Sequence, residues 1–189
     1  MKKTLLIFAC ALVFAGTVST SCAQNATDKV EWKEFQSAEN GFKVEFPKPP
    51  TRSLDETKVP NRIGPSVEFD TELPSTSFLV KIGEFLNSAP SAETELTALY
   101  DDIRNSVAEG MHAKALREQR VTASGKVGRD VELAVDRHYV KYRMFFVGSR
   151  FYQLIISTNS EFAADTSVQK SMNRFMDSFQ LIEKNQGSM

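Results

Sequence analysis

The feature that most constrains this chain is a hydrophobic period that switches from two to about 3.6 and back, twice, along its length. Phe42-Lys43-Val44-Glu45-Phe46 alternates strictly, which puts three apolar side chains on one face of a strand and two charges on the other. Pro47, Pro49 and Pro50 end it, because proline donates nothing to a sheet ladder. Thr51–Val59, Val67–Leu73 and Phe78–Leu86 also read as strands, punctuated by Pro60, Gly64, Pro65 and Pro74. The spacing then changes. Leu96, Leu99, Ile103 and Val107 predict a helix over 90–109, with Pro90 suited to its first turn, Glu93 and Glu95 facing its positive end and Gly110 stopping it.

Four further strands follow at 114–123, 127–135, 138–147 and 150–158, then a second helix over 162–177 carrying Val168, Met172, Phe175 and Met176, then a closing strand at Phe179–Ile182. Gly125-Lys126-Val127-Gly128 reads as a hairpin loop. Gly148-Ser149 is a two-residue hairpin turn, which pairs Val147 with Arg150. In that register one face holds Val140, Tyr142, Met144, Phe146, Phe151 and Ile155. The other holds Phe145, Val147, Leu154 and Ile156, with Tyr139, Lys141, Arg143, Arg150 and Tyr152. Two largely apolar faces require a cover on both sides. Strands, helix, strands, helix, strand is a segregated order, so the expected class is α+β, an antiparallel sheet with helices packed on it.

The N-terminus has a different character. Lys2 and Lys3 precede an apolar run from Thr4 to Gly16, and small residues continue to Ala23; this is the order of a secretory signal, too short for a spanning helix. Residues 1–23 are therefore read as a signal peptide, cleaved either after Ala23 or before Cys22, in which case Cys22 is the candidate lipidation site. Residues 24–30 form a polar leader, 31–184 a single domain and 185–189 a frayed tail. The expected location is the periplasm or cell envelope, with the membrane reached only through a lipid on Cys22. Cys10 is removed in either case, so the folded domain has no disulfide and depends on its core. A chain of about 166 residues buries roughly 70% of its unfolded surface, enough for one such core.

Charge is unevenly spread. Residues 28–110 carry nine basic and sixteen acidic groups, residues 111–150 nine and four. That mild asymmetry describes two solvated surfaces rather than a nucleic-acid footprint, and export argues against nucleic acid as well.

A resemblance emerges from these elements together. Trp32, Phe35 and Gly41-Phe42-Lys43-Val44-Glu45-Phe46-Pro47, the long central helix, Arg143…Gly148…Tyr152-Gln153-Leu154 and Phe175-Met176-Asp177-Ser178-Phe179 resemble the exported bacterial relatives of the PsbP-like family. The resemblance implies an α/β/α sandwich around an antiparallel sheet. The family includes the extrinsic photosystem II subunit and many envelope proteins without an assigned role. Its matching positions are core and turn residues, so no catalytic residue is carried over and function must come from the site.

Chemistry is sparse. His112 and His138 lie in no metal-ligand spacing. Gly64-Pro65-Ser66 lacks the second glycine of a nucleophile elbow. Asp101-Asp102 point apart on a helix, and Asp70 with Glu72 offers too few oxygens for a hard cation. No catalytic residue, cofactor or metal is expected. The candidate binding face is the basic aromatic set Tyr139, Lys141, Arg143, Arg150 and Tyr152, which suits an anionic ligand or a carboxylate-bearing partner. The competing reading lays the long stems over apolar neighbours, with the charges in water or paired to helix carboxylates. The sequence thus points to a non-catalytic exported envelope protein that binds a macromolecular partner. A small-molecule or lipid carrier with a pocket between sheet and helix comes second and a hydrolase-type enzyme third.

Overall fold

Twelve elements, seen in a computed structural model, arrange into two sheets and two helices; residues 30–56, 63–85 and 92–182 are described. The signal segment with Cys22, most of the polar leader, Pro60, Leu86, Pro90 and the tail lie outside the described residues. In chain order the elements are β1 (Lys33–Ser37), β2 (Phe42–Phe46), β3 (Thr51–Asp55), β4 (Ile63–Leu73), β5 (Thr76–Phe85), α1 (Glu93–Gly110), β6 (Lys114–Ala123), β7 (Lys126–Val135), β8 (His138–Val147), β9 (Arg150–Asn159), α2 (Thr166–Ser178) and β10 (Gln180–Leu181).

Seven strands form one antiparallel sheet in the order β3-β4-β5-β9-β8-β7-β6, and β1-β2-β10 form a small second one. The register of β8 with β9 is the expected one: Val147 faces Arg150 and Phe146 faces Phe151. Ser124 and Gly125 both have positive φ, as a type I′ turn requires. That two-residue turn corrects the expected four-residue loop, since Lys126–Gly128 already belong to β7.

Both faces of the large sheet are covered, as its two apolar sides require. On one side α1 lays Leu96, Leu99, Tyr100, Ile103 and Val107 over Val131, Leu133, Val140, Tyr142, Met144, Phe146 and Phe151. On the other, α2 and the small sheet close over Phe78, Val80, Phe145, Leu154 and Ile156. The alternation of β2 is used as expected: Phe42, Val44 and Phe46 are all buried against α2, whose Met172, Phe175 and Met176 are fully enclosed. Phe179 stacks between Phe42 (6.0 Å) and Phe145 (5.6 Å), joining the small sheet to the large one. The class is therefore α+β.

Three elements depart from expectation. β4 begins at Ile63 rather than Val67 and takes in Gly64 and Pro65, which the sequence pattern reads as its punctuation, with a register shift between Ile63 and Ser66. β1 is a strand that its sequence does not announce, because only Phe35 of its central residues faces the core. The second helix begins at Thr166 rather than 162, because Asp165 caps it: its carboxylate accepts from the N–H of Ser167 (2.7 Å) and of Val168 (3.2 Å).

Candidate functional site

The five residues of the basic aromatic set do share one face of the β8–β9 hairpin, but α2 and the small sheet lie over that face, so they are not one open patch. Arg143 is the most enclosed cation. Its Nε and Nη2 donate to Asp130 Oδ1 and Oδ2 at 2.6 and 2.8 Å, and its Nη1 donates to the Met176 carbonyl at 2.7 Å, in the last turn of α2. Asp130 is 2% exposed and the Arg143 side chain 11%, so this fork closes a helix end rather than receiving a ligand. Tyr152 is buried too, and its hydroxyl donates to the Asn40 carbonyl at 2.8 Å.

Lys141 and Tyr139 stand toward the opposite end of the hairpin. Lys141 Nζ reaches Asn173 on α2 at 3.5 Å. Burial, and after it the neighbouring Glu132 carboxylate, raises the Tyr139 hydroxyl well above the ordinary tyrosine pKa. Arg150 is the member of the five that is reachable from solvent at the turn end, as Lys141 is toward the other end. Arg150 Nε lies 3.4 Å from Glu84, whose side chain is mostly exposed.

The strand registers explain what surrounds Arg150. Glu84 faces Arg150 across β5 and β9, Arg150 faces Val147 across β9 and β8, and the β7–β8 ladder through Gly128 and Phe145 sets Lys126 beside Val147. Glu84, Arg150, Val147 and Lys126 thus form one cross-strand row at the end of the sheet, on the same face. Lys126 is a site residue that the sequence reading missed; it directly follows the Ser124-Gly125 turn, opposite Ala123, and that turn places it there.

Three backbone segments converge on this row. Ile182 N–H donates to the Gly41 carbonyl at 2.9 Å, and Leu181 N–H to the Ser124 hydroxyl at 3.0 Å. Gly41 has φ of +73°, and a Cβ there would meet the Tyr152 hydroxyl at 3.2 Å and Arg150 Nη1 at 3.4 Å, so glycine is required both for the turn and for the approach. Between them lies an open groove of about 470 Å³ lined by Lys126, Gly148, Ser149, Arg150 and Tyr152, with Gly41 and Ile182 opposite. A second groove of about 410 Å³ adjoins it and shares Arg150 and Glu84.

Another groove, of about 780 Å³, lies on the α1 side between α1 and the β6–β7 hairpin. Its floor is Leu96, Tyr100, Val127 and Phe146, and its rim charges are largely paired. Glu118 bonds Arg104 and Arg129, and Glu93 bonds Arg120 at 3.1 Å. The Tyr100 hydroxyl accepts from Phe146 N–H (3.2 Å) and donates to the Val127 carbonyl (3.1 Å); burial pushes its pKa up to about 12.

The remaining candidates are not brought together. His112 is exposed after α1, with a positive φ, and His138 is exposed at the start of β8. Asp101 lies 3.3 Å from Arg104 in an i,i+3 pair. Asp70 and Glu72 alternate along β4 on the side that also carries Glu68 and Lys81. Among the described residues no group of three His, Cys, Asp or Glu side chains is placed to hold a metal ion, and no helix is long and apolar enough to cross a membrane.

No family description and no curated protein matches this chain. Among solved structures it is similar to the solution structure of cyanobacterial PsbP (CyanoP) from Synechocystis sp. PCC 6803, with a TM-score of 0.57 and 13% identity over 80% of this chain and 93% of that one. At that identity the likeness is one of fold, and it carries the resemblance read from the core and turn residues: the chain has a PsbP-like fold, α+β, with helices on both faces of an antiparallel sheet.

Proposed function

We propose that this chain is a non-catalytic accessory protein of the cell envelope that is exported by its N-terminal signal and docks on a macromolecular partner. The observation that carries the reading is the row Glu84–Arg150–Val147–Lys126. It sets two cations on the open rim of a rigid scaffold, where rim charges steer association and fix register. The docking surface proposed is the turn end of the sandwich, with Arg150 as the member of the basic aromatic set that takes part. Export rests on the order of residues 1–23.

A carrier would need room inside. Phe42, Phe78, Phe145, Leu133, Met144, Ile156 and Phe175 fill the two interior layers at essentially no exposure, and the grooves open at the surface instead. Native mass spectrometry of the protein isolated from its own envelope separates the readings. A docking protein travels with a protein partner, while a lipid-sized adduct on the monomer would favour the carrier. The same spectra read the N-terminus. A chain starting at Gln24, or an acylated chain starting at Cys22, fits export, and Cys22→Ser should move the acylated form from the membrane fraction to the soluble one. Retention of Thr4–Gly16 would contradict export.

A further inference from the structure

The turn-end groove has a chemistry of its own. Lys126 and Arg150 project from the same face two strands apart, about 10 Å between backbones at ordinary strand spacing. Their long side chains can close that distance around one anionic group. Among the described residues the Lys126 ammonium has no ion-pair partner and is exposed. Arg150 has five N–H donors, of which Nε makes one long contact, 3.4 Å, to a mostly exposed Glu84. Arg143, by contrast, spends its fork on Asp130 and Met176. The Ser149 hydroxyl adds a neutral donor to the same lining, the Ser124 hydroxyl is bonded to the Leu181 backbone, and Val147 and Leu181 give the lining an apolar floor. Among the described residues Glu84 is the single carboxylate of the lining, at its edge.

We infer that Lys126 and Arg150 form a carboxylate-binding site, and that its occupant is an extended acidic segment of a partner protein. This deepens the docking reading above and rests on it. Charge complementarity selects the carboxylate, and a planar guanidinium beside a mobile ammonium matches its two oxygens. The extent of the groove selects a chain over a small ion. Arg150 stands between cavities of about 470 and 410 Å³, so a segment that places one carboxylate on Arg150 finds room on both sides. Glu84 lies at the junction and repels a second carboxylate placed there, which sets the spacing of acids that the furrow accepts.

The test is an NMR titration of the isotope-labelled chain with a blocked tetraglutamate peptide, repeated with acetate and with inorganic phosphate. The expected result is saturable shifts at the amides of Lys126, Gly148, Ser149 and Arg150, weakening as salt rises. Binding should fall about tenfold in Lys126→Gln and further in Lys126→Gln with Arg150→Gln, as expected for charges that act at the rim of a contact. Lys126→Gln removes an exposed side chain, so it tests the site even if Arg150→Gln perturbs β9. Lys141→Gln, on the same strand face but distant from the groove, should leave binding unchanged. Shifts spread over all basic residues, or an affinity untouched by Lys126→Gln, would overturn the site. Equal binding of acetate or phosphate would overturn the acidic segment as its occupant. If the peptide fails while the protein still travels with a partner from its envelope, this inference falls and the docking reading stands.

Discussion

Arg143 and Asp130 face each other across β8 and β7 in a two-pronged ion pair, buried beneath the C-terminal turn of α2, whose Met176 carbonyl takes the third guanidinium bond. α2 has no basic residue in its own last turn, so the sheet supplies the cation that its C-terminal carbonyls favour. The pair therefore belongs to the architecture: it couples the large sheet to the layer that covers it.

Removing one member of that pair should be costly. Asp130→Ala leaves the buried guanidinium with the Met176 carbonyl and the exposed Asp177 carboxylate 3.6 Å away, a loss of its buried counter-ion that costs up to about 3–5 kcal/mol. Replacing both, as Asp130→Leu with Arg143→Met, should cost less than Asp130→Ala alone, because no charge is then stranded. Urea denaturation of the three proteins measures the ordering; a double variant less stable than the single one would contradict it.

Gly128 is fixed by packing. A Cβ there would lie 2.2 Å from the Met144 carbonyl oxygen and 2.5 Å from a Phe145 ring carbon, so the strands cannot keep their register with a larger residue. Gly128→Ala should destabilise by about 1–3 kcal/mol, the range for forced overpacking. Gly110→Ala, with nothing near its Cβ, is the control and should not destabilise. Thermal melts of the two variants make the comparison.

Phe146→Asp should abolish cooperative folding. Phe146 lies stacked 4.4 Å from Phe151, with Tyr100 at 4.9 Å and Phe85 at 5.1 Å, and the one hydroxyl among them, on Tyr100, already donates to the Val127 carbonyl. A folded baseline in the thermal scan of that variant, melting near the wild-type temperature, would contradict the packing.

Alkaline pH should unfold the protein through its tyrosines. Burial raises Tyr100 to about 12 and holds Tyr142 and Tyr139 still higher, against an ordinary value of 10.0. Folding thus favours the neutral phenols. Their contribution is complete below pH 10, falls as the unfolded chain ionises above it, and is gone once pH passes the folded values. Ultraviolet titration should show tyrosinate from these three residues appearing together with loss of structure; independent ionisation near pH 10 in the folded protein would contradict their burial.

Much of this was legible because it is local. The Gly148-Ser149 turn fixes the β8–β9 register, and the register assigns every side chain of that hairpin to a face. The stripe Leu96, Leu99, Ile103 and Val107 marks the buried side of α1 for the same reason. What covers a face is not local. Sequence placed Arg143 and Arg150 together, but the end of α2 lies over the first and leaves the second at a rim. Lys126 joined the site only when the β6–β7 turn, β10 and the Gly41 turn met at one end of the sheet, contacts separated by many tens of residues. β1 escaped notice because most of its side chains face water.

The most direct test of docking at the turn end is quantitative affinity capture from the native envelope, comparing wild type with Lys126→Glu plus Arg150→Glu at matched stability. The expected result is a protein retained by wild type, released progressively by salt, and reduced about tenfold or more on the charge-reversed chain. A set of captured proteins that is the same for both chains, at every salt concentration, would contradict docking through this surface.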